Sequence, residues 1–258
     1  MEREHTVVIA TGGNALIVDE EHKAIPDQYK AAATTCHHIA DMIDLGWNIV
    51  VTHGKGPQVG YILRRSEIVL EEVSPVPMDY AGADTQGAIG YMFQRALRNE
   101  MHKRNMKRSP VTAVTQIMVD ASDPELSNPS NPIGSYMTEE FAKKHVKIQG
   151  WTICEEGKGK WRRLVPSPRP VSIVEIDSIK ALVDKNFLVI ACGGGGIPVC
   201  SDETGELRGV EVVQTRIMFL VYWRLICRLN YWLLQQQLRK SHWSLGLPNK
   251  RGLTRCWF

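Results

Sequence analysis

Three glycine-rich turns hold the residues whose spacing could do chemistry: Gly12-Gly13-Asn14-Ala15, then Gly54-Lys55-Gly56-Pro57-Gln58-Val59-Gly60, then Gly193-Gly194-Gly195-Gly196. Glycine allows backbone conformations that aim successive N–H groups into one concavity, and a helix starting just after adds its positive end. That is a site for an anion. One such turn is equally explained by sterics, but three at the same end of neighbouring strands would open into a single cleft. The phosphate-binding pattern G-x-x-x-x-G-K-[ST] is absent, and the second turn has one residue too many before its last glycine for a dinucleotide fingerprint. No Ser-His-Asp or Cys-His set can be placed by spacing. His37-His38 are adjacent within a helical stretch and do not share a face, so no metal site is expected. Around Gly157-Lys158-Gly159, the basic residues Lys158, Lys160, Arg162 and Arg163 could reach a phosphate or form an exposed basic hairpin. His53 could orient a substrate or be a hydrogen-bonded structural residue, and Trp161 reads as packing.

Strands and helices must position these turns. Thr6–Ala10 and Asn48–Thr52 are short continuous apolar runs, as expected of strands covered on both faces, and each leads into a glycine turn. Helical stretches are expected over 27–45, 58–72, 82–104 and 174–185. Further strands are expected over Val111–Val119 and Leu188–Ala191. This alternation predicts an α/β fold, a three-layer sandwich around a mainly parallel sheet. Residues 120–170 differ: Asn128-Pro129-Ser130-Asn131-Pro132-Ile133-Gly134 is rich in turn formers, and the segment reads as an inserted lid subdomain.

Composition divides the chain in two. Its 258 residues carry 31 basic and 28 acidic side chains, with 43% hydrophobic and 23% charged content, which excludes a disordered or collagen-like chain. Residues 214–258 hold eight basic residues, no Asp or Glu, and four of the seven tryptophans. Residues 1–213 are left with 23 basic against 28 acidic, a net of −5. The organisation expected is therefore a body over 1–213, with the lid at about 120–170, and a divergent basic tail over 214–258. Having no helical or strand rhythm, the tail is not expected to complete the sheet. The six cysteines form no CxxC pair or zinc spacing, as in reduced cytosolic proteins, and the N-terminus lacks a signal-peptide pattern. The apolar run Ile217–Leu234 is interrupted by Arg224, Arg228 and Asn230, so no membrane segment is expected. Nucleic acid is not an expected partner either.

The three turns, Gln86-Gly87-x-Ile89-Gly90-Tyr91, Thr115-Gln116, Asn128-Pro129-x-x-Pro132-Ile133-Gly134, the run Trp161–Pro170 containing Val165-Pro166-Ser167-Pro168, and Gly209-Val210-Glu211 together resemble carbamate kinases of the amino acid kinase superfamily, over residues 6–213. The resemblance implies reversible phosphoryl transfer between ATP and carbamate, with carbamoyl phosphate and ADP as the other pair and Mg²⁺ as the metal. It further implies flux toward ATP in arginine breakdown, a cytoplasmic location and a homodimer. By this similarity Gly12, Gly13 and Asn14 contact the transferring phosphoryl group, while Gly54, Lys55, Gly56, Gly193, Gly194 and Gly195 line the substrate end. No metal-ligating side chain is assigned. Two other readings stay open: a non-catalytic anion-binding or regulatory remnant, and an amino acid kinase acting on a carboxylate.

The sequence departs from the family pattern at three places. Lys55 stands where the family has Asn between the two glycines, and Asn131 stands where it has a lysine. Gln214-Thr215-Arg216 replaces the Asp-Lys-Asp continuation, with Arg216 at the lysine position, so no catalytic lysine is assigned. The family's nucleotide-binding half is not recognisable in 214–258. The composition of that segment is that of out-of-frame translation, the alternative being a basic aromatic tail that binds nucleic acid or a membrane surface. A chain truncated in this way is expected to be weakly active or inactive.

Overall fold

The computed structural model describes residues 6–12, 16, 17, 19, 21, 22 and 24–213, together with the strand segments 231–235, 244–247 and 254–257. In chain order the first elements are β1 (Thr6–Thr11), α1 (Ile25–Asp44), β2 (Asn48–His53), α2 (Gln58–Ile68) and α3 (Met78–Lys103). Next come β3 (Pro110–Ala113), β4 (Gln116–Val119), β5 (Asn131–Met137), α4 (Glu139–Gln149), β6 (Thr152–Glu155) and β7 (Trp161–Val165). The remainder is β8 (Pro170–Ile173), α5 (Ile176–Asp184), β9 (Leu188–Ala191), β10 (Ile197–Ser201), β11 (Leu207–Gly209), β12 (Tyr231–Gln235), β13 (Ser244–Leu247) and β14 (Thr254–Trp257).

The main sheet has the order β14-β13-β12-β1-β2-β9-β3, and its pairings from β12 through β3 are all parallel. Alternate residues of its central strands enter separate cores. Val7, Ile9, Ile49, Val51, Leu188 and Ile190 pack with Ala32 and Ile39 of α1 and Phe93 and Leu97 of α3. Val8, Val50 and Val189 pack on the other face with Ile117, Ile173 and Ile179. Burial on both faces is why β1 and β2 read as unbroken apolar runs rather than alternating ones. A second sheet, β11-β10-β4-β8, lies on that second side, while β5, β7 and β6 form a separate antiparallel sheet with α4 against it. The layered α/β expectation is met.

Two boundaries differ for a physical reason. Val111–Val119 is not one strand: β3 belongs to the main sheet and β4 to the second, with the break at Val114-Thr115. The fully buried Thr115 holds that break. Its N–H donates to Gln86 Oε1 at 2.9 Å, and Gln86 Nε2 donates back to the Thr115 carbonyl at 3.0 Å. Thr115 Oγ1 donates to the Ala113 carbonyl and accepts the Cys192 N–H. Side-chain partners thus satisfy the backbone groups that a continuous ladder would have used. α3 begins at Met78, four residues before the expected start, because Pro77 in an extended conformation sets the helix entry.

The tail also departs from expectation. β12 pairs parallel with β1, Val8 opposite Trp232 and Ile9 opposite Leu233, and β13 and β14 follow antiparallel. Residues 231–234 are Tyr-Trp-Leu-Leu, of types that favour strands, and their backbone meets hydrogen-bonding groups that β1 would otherwise leave at an edge. Gln214-Thr215-Arg216 lies outside the described residues.

Candidate functional site: a glycine cleft at the strand ends

The parallel pairing of β1, β2 and β9 puts the turns that follow them at one edge of the sheet, where open α/β sheets bind ligands. The side chains of Thr11 and Thr52, at the ends of two apolar strands, tie the turns together. Gly54 N–H donates to the Thr11 carbonyl at 2.8 Å, Thr11 Oγ1 donates to the Thr52 carbonyl at 3.3 Å, and Thr52 Oγ1 donates to the Cys192 carbonyl at 3.1 Å. Both threonines are buried. Their role escaped the sequence reading, although a threonine closing an otherwise aliphatic buried strand is the signal that could have found it.

The second and third turns touch. A Cβ on Gly193 would overlap the His53 ring, and one on Gly194 would lie 3.3 Å from Lys55 Cβ. At Gly196 the backbone has φ +89°, and a Cβ would overlap Ile117. Glycine is required here by close approach and by positive φ together, not as loose linker sequence. α2 starts at Gln58, within the second turn sequence, with no side chain capping its N-terminus, and Gln58 Nε2 donates to Gln28 Oε1 on α1 at 2.6 Å. Lys55 is half-buried in the same turn. Backbone N–H groups, an ammonium and an uncapped helix start make a cleft suited to anions.

His53 is structural in this geometry. It is buried, stacks on Phe93 with ring centroids 6.0 Å apart, and places Nδ1 3.0 Å from the Gly54 carbonyl. A carbonyl only accepts, so Nδ1 carries the proton and Nε2 presents a lone pair toward Gly193. Burial pushes its pKa down to about 4, against a smaller upward pull from that carbonyl, so the ring is neutral at pH 7.

Gly12, Gly54, Lys55, Gly56, Gly193, Gly194 and Gly195 therefore gather around the ends of β1, β2 and β9, whereas Gly13 and Asn14 lie outside the described residues. Asn131 opens β5, opposite Val165 of β7, in the separate small sheet. The basic hairpin has internal duties. Arg162 donates to Glu156 at 3.1 Å and to the Pro132 carbonyl at 2.9 Å, and Arg163 donates to Glu211 at 3.0 Å. Glu211 also accepts the Met78 N–H at the start of α3, at 3.0 Å, so it joins β7 to the body. Among the described residues no group of three His, Cys, Asp or Glu side chains could hold a metal ion. The described donors of the cleft, backbone N–H groups and an ammonium, do not fit a resident Mg²⁺, which takes oxygen ligands.

A three-layer α/β body with glycine turns gathered at the ends of parallel strands is the layout in which open α/β sheets bind ligands, and residues 5–212 match the amino acid kinase family: the chain belongs to it. Within that family its similarity is to carbamate kinases. It is 46% identical to carbamate kinase of Pyrococcus horikoshii over 209 residues and 47% identical to that of Thermococcus kodakarensis over 210 residues. Each match covers 80% of this chain and 66% of the relative, so the chain spans about two thirds of the length of these curated relatives. The structure of Giardia lamblia carbamate kinase bound to AMP-PNP superposes with a TM-score of 0.85 at 34% identity, covering 92% of this chain and 75% of that one. No helix among the described residues is long and apolar enough to cross a membrane.

Proposed function

We propose that the chain carries the phosphate-accepting half of a carbamate kinase, acting in reversible phosphoryl transfer between ATP and carbamate and, in the cell, from carbamoyl phosphate to ADP. The observation that carries this reading is the gathering of three glycine turns at the ends of β1, β2 and β9, in a chain similar to carbamate kinases across its whole body. Transfer of a phosphoryl group needs positioning and charge neutralisation more than covalent help. Gly56, Gly193 and Gly194 offer backbone N–H groups at the substrate end, Gly54 and Gly195 shape the turns through N–H bonds to the Thr11 and Cys192 carbonyls, and Lys55 adds a cation where the family has a neutral amide. Gly12, Gly13 and Asn14 meet the transferring group from the β1 side. Mg²⁺, when bound, offsets phosphate charge and travels with the nucleotide. The small sheet over 131–165 covers the cleft and excludes water.

Because Asn131 and Arg216 stand at lysine positions of the family, binding outlasts turnover in this chain. Carbamoyl phosphate is expected to raise the midpoint of thermal unfolding of the 258-residue protein, while ATP formation from ADP and carbamoyl phosphate is slow. Robust turnover would sink the slow-turnover claim, and absence of any carbamoyl phosphate effect would sink the binding claim. Binding without turnover is also the outcome for a non-catalytic anion-binding remnant, and Asn131→Lys separates the two by raising the rate only in a kinase. The same reading makes the protein a cytoplasmic homodimer, checked by sedimentation for assembly and by fractionation for location.

A further inference from the structure

A cavity of about 370 Å³ lies between α2 and the three-stranded sheet, and of the residues of the glycine turns it is lined by Gly60, the last of the second turn. Its size falls at the small end of ligand pockets, roughly 300–1,000 Å³. Arg64 comes from α2, and Lys160 and Arg163 come from the β6–β7 hairpin; Glu67 is the carboxylate on the lining. The cavity is therefore positive.

Each cation is set against a flat ring. The Arg64 guanidinium lies 4.6 Å from the Phe141 ring centre, Arg163 lies 4.8 Å from Trp151, and Lys160 Nζ lies 5.5 Å from Tyr136. Arg64 is held by Glu67 at 3.3 Å and Arg163 by Glu211 at 3.0 Å, so both are fixed in place by a carboxylate on one side. Lys160 differs, because no described carboxylate pairs with it. Two braced cations, one unpaired ammonium and aromatic faces recognise a negative group joined to a planar apolar body.

We propose that this cavity is a binding site for a small anion built as a flat ring carrying a phosphate or carboxylate. The ligand would sit between α2 and the inserted sheet, its ring against the exposed Tyr136, because Phe141 and Trp151 are already covered by Arg64, Arg163 and His145, and its charge at Lys160. The site adjoins the phosphoryl-transfer cleft at Gly60 but has charged groups of its own, and its occupancy ties the small sheet to the body.

Calorimetric titration of the full 258-residue protein tests this with four probes: phenyl phosphate, benzoate, cyclohexyl phosphate and inorganic phosphate. Phenyl phosphate is expected to bind saturably at one site, at least tenfold more tightly than cyclohexyl phosphate. The comparison of phenyl phosphate with benzoate tells whether the anionic group is a phosphate or a carboxylate. Lys160→Glu, at an exposed position that leaves packing intact, weakens the aryl anion at least tenfold and leaves inorganic phosphate unchanged. Lys55→Ala does the reverse. Loss of phenyl phosphate binding in Lys55→Ala but not in Lys160→Glu would return the ligand to the glycine cleft and overturn the proposal. So would equal affinity for the ring and non-ring phosphates, or no saturable binding. Failure of inorganic phosphate alone to bind would count against the cleft reading and leave this site standing.

Discussion

His53 links a single side chain to the behaviour of the whole protein in acid. Its pKa is near 4 in the fold, against about 6.5 in an unfolded chain, so between those values the unfolded state takes up a proton that the native state refuses. The stabilisation is complete above about pH 6.5 and is lost as pH falls toward 4, to a limit of about 3 kcal/mol. Urea unfolding at pH 7 and pH 4.5 should show a steeper loss for the parent than for His53→Gln, which has no imidazole to protonate. Equal losses would remove His53 from the account. Gly193 offers a second test at this scale. Its Cβ would overlap the His53 ring, so Gly193→Ala is expected to cost about 1–3 kcal/mol in unfolding free energy by overpacking and to abolish the carbamoyl phosphate effect. A variant of unchanged stability and unchanged ligand response would mean that the two turns are not packed as described.

At the scale of elements, the Gln86–Thr115 exchange decides where β3 ends and β4 begins. Replacing Gln86 by Leu keeps the volume but leaves the buried Thr115 N–H without its partner, while the Thr115 carbonyl keeps the Ile197 N–H, at a cost of about 1–3 kcal/mol. The expected result is a lower urea midpoint at unchanged m-value; a shift of under half a kcal/mol would show the switch to be held elsewhere. The spacing of apolar residues announced β1, β2, β9 and α1 to within two residues, since period and burial are local properties of those runs. It could not announce the split of Val111–Val119. The residue that breaks the strand is partnered by a side chain 29 positions earlier, and nothing local marks that pairing.

For the molecule as a whole, the +3 formal charge is the sum of an acidic body and a basic tail, and is no guide to a charged partner. The tail nevertheless supplies the neighbour of β1. Leu233→Pro, at a central register position of β12, removes a ladder hydrogen bond and is expected to lower the thermal midpoint and promote self-association through the uncovered edge. An unchanged midpoint and a monodisperse profile would detach the tail from the sheet. The composition break at Val213 carries its own expectation. Coding DNA read through that codon in the other two frames recovers an Asp-Lys-Asp continuation, and its absence makes 214–258 a genuinely divergent segment.

The sequence by itself determined the layered α/β class and the three glycine turns, because strand hydrophobicity and glycine conformation are written residue by residue. The same holds for the family motifs from Gly12 to Glu211. Only the tertiary structure decided that His53 is a neutral, stacked support rather than a substrate contact, since that depends on Phe93 and on burial. The work of Arg162 and Arg163 within the small sheet, the Thr11–Thr52–Cys192 tie and the aromatic cavity beside α2 were decided there too. Each joins residues far apart in the chain, and a pairing over such distances has no period or spacing for the sequence to show.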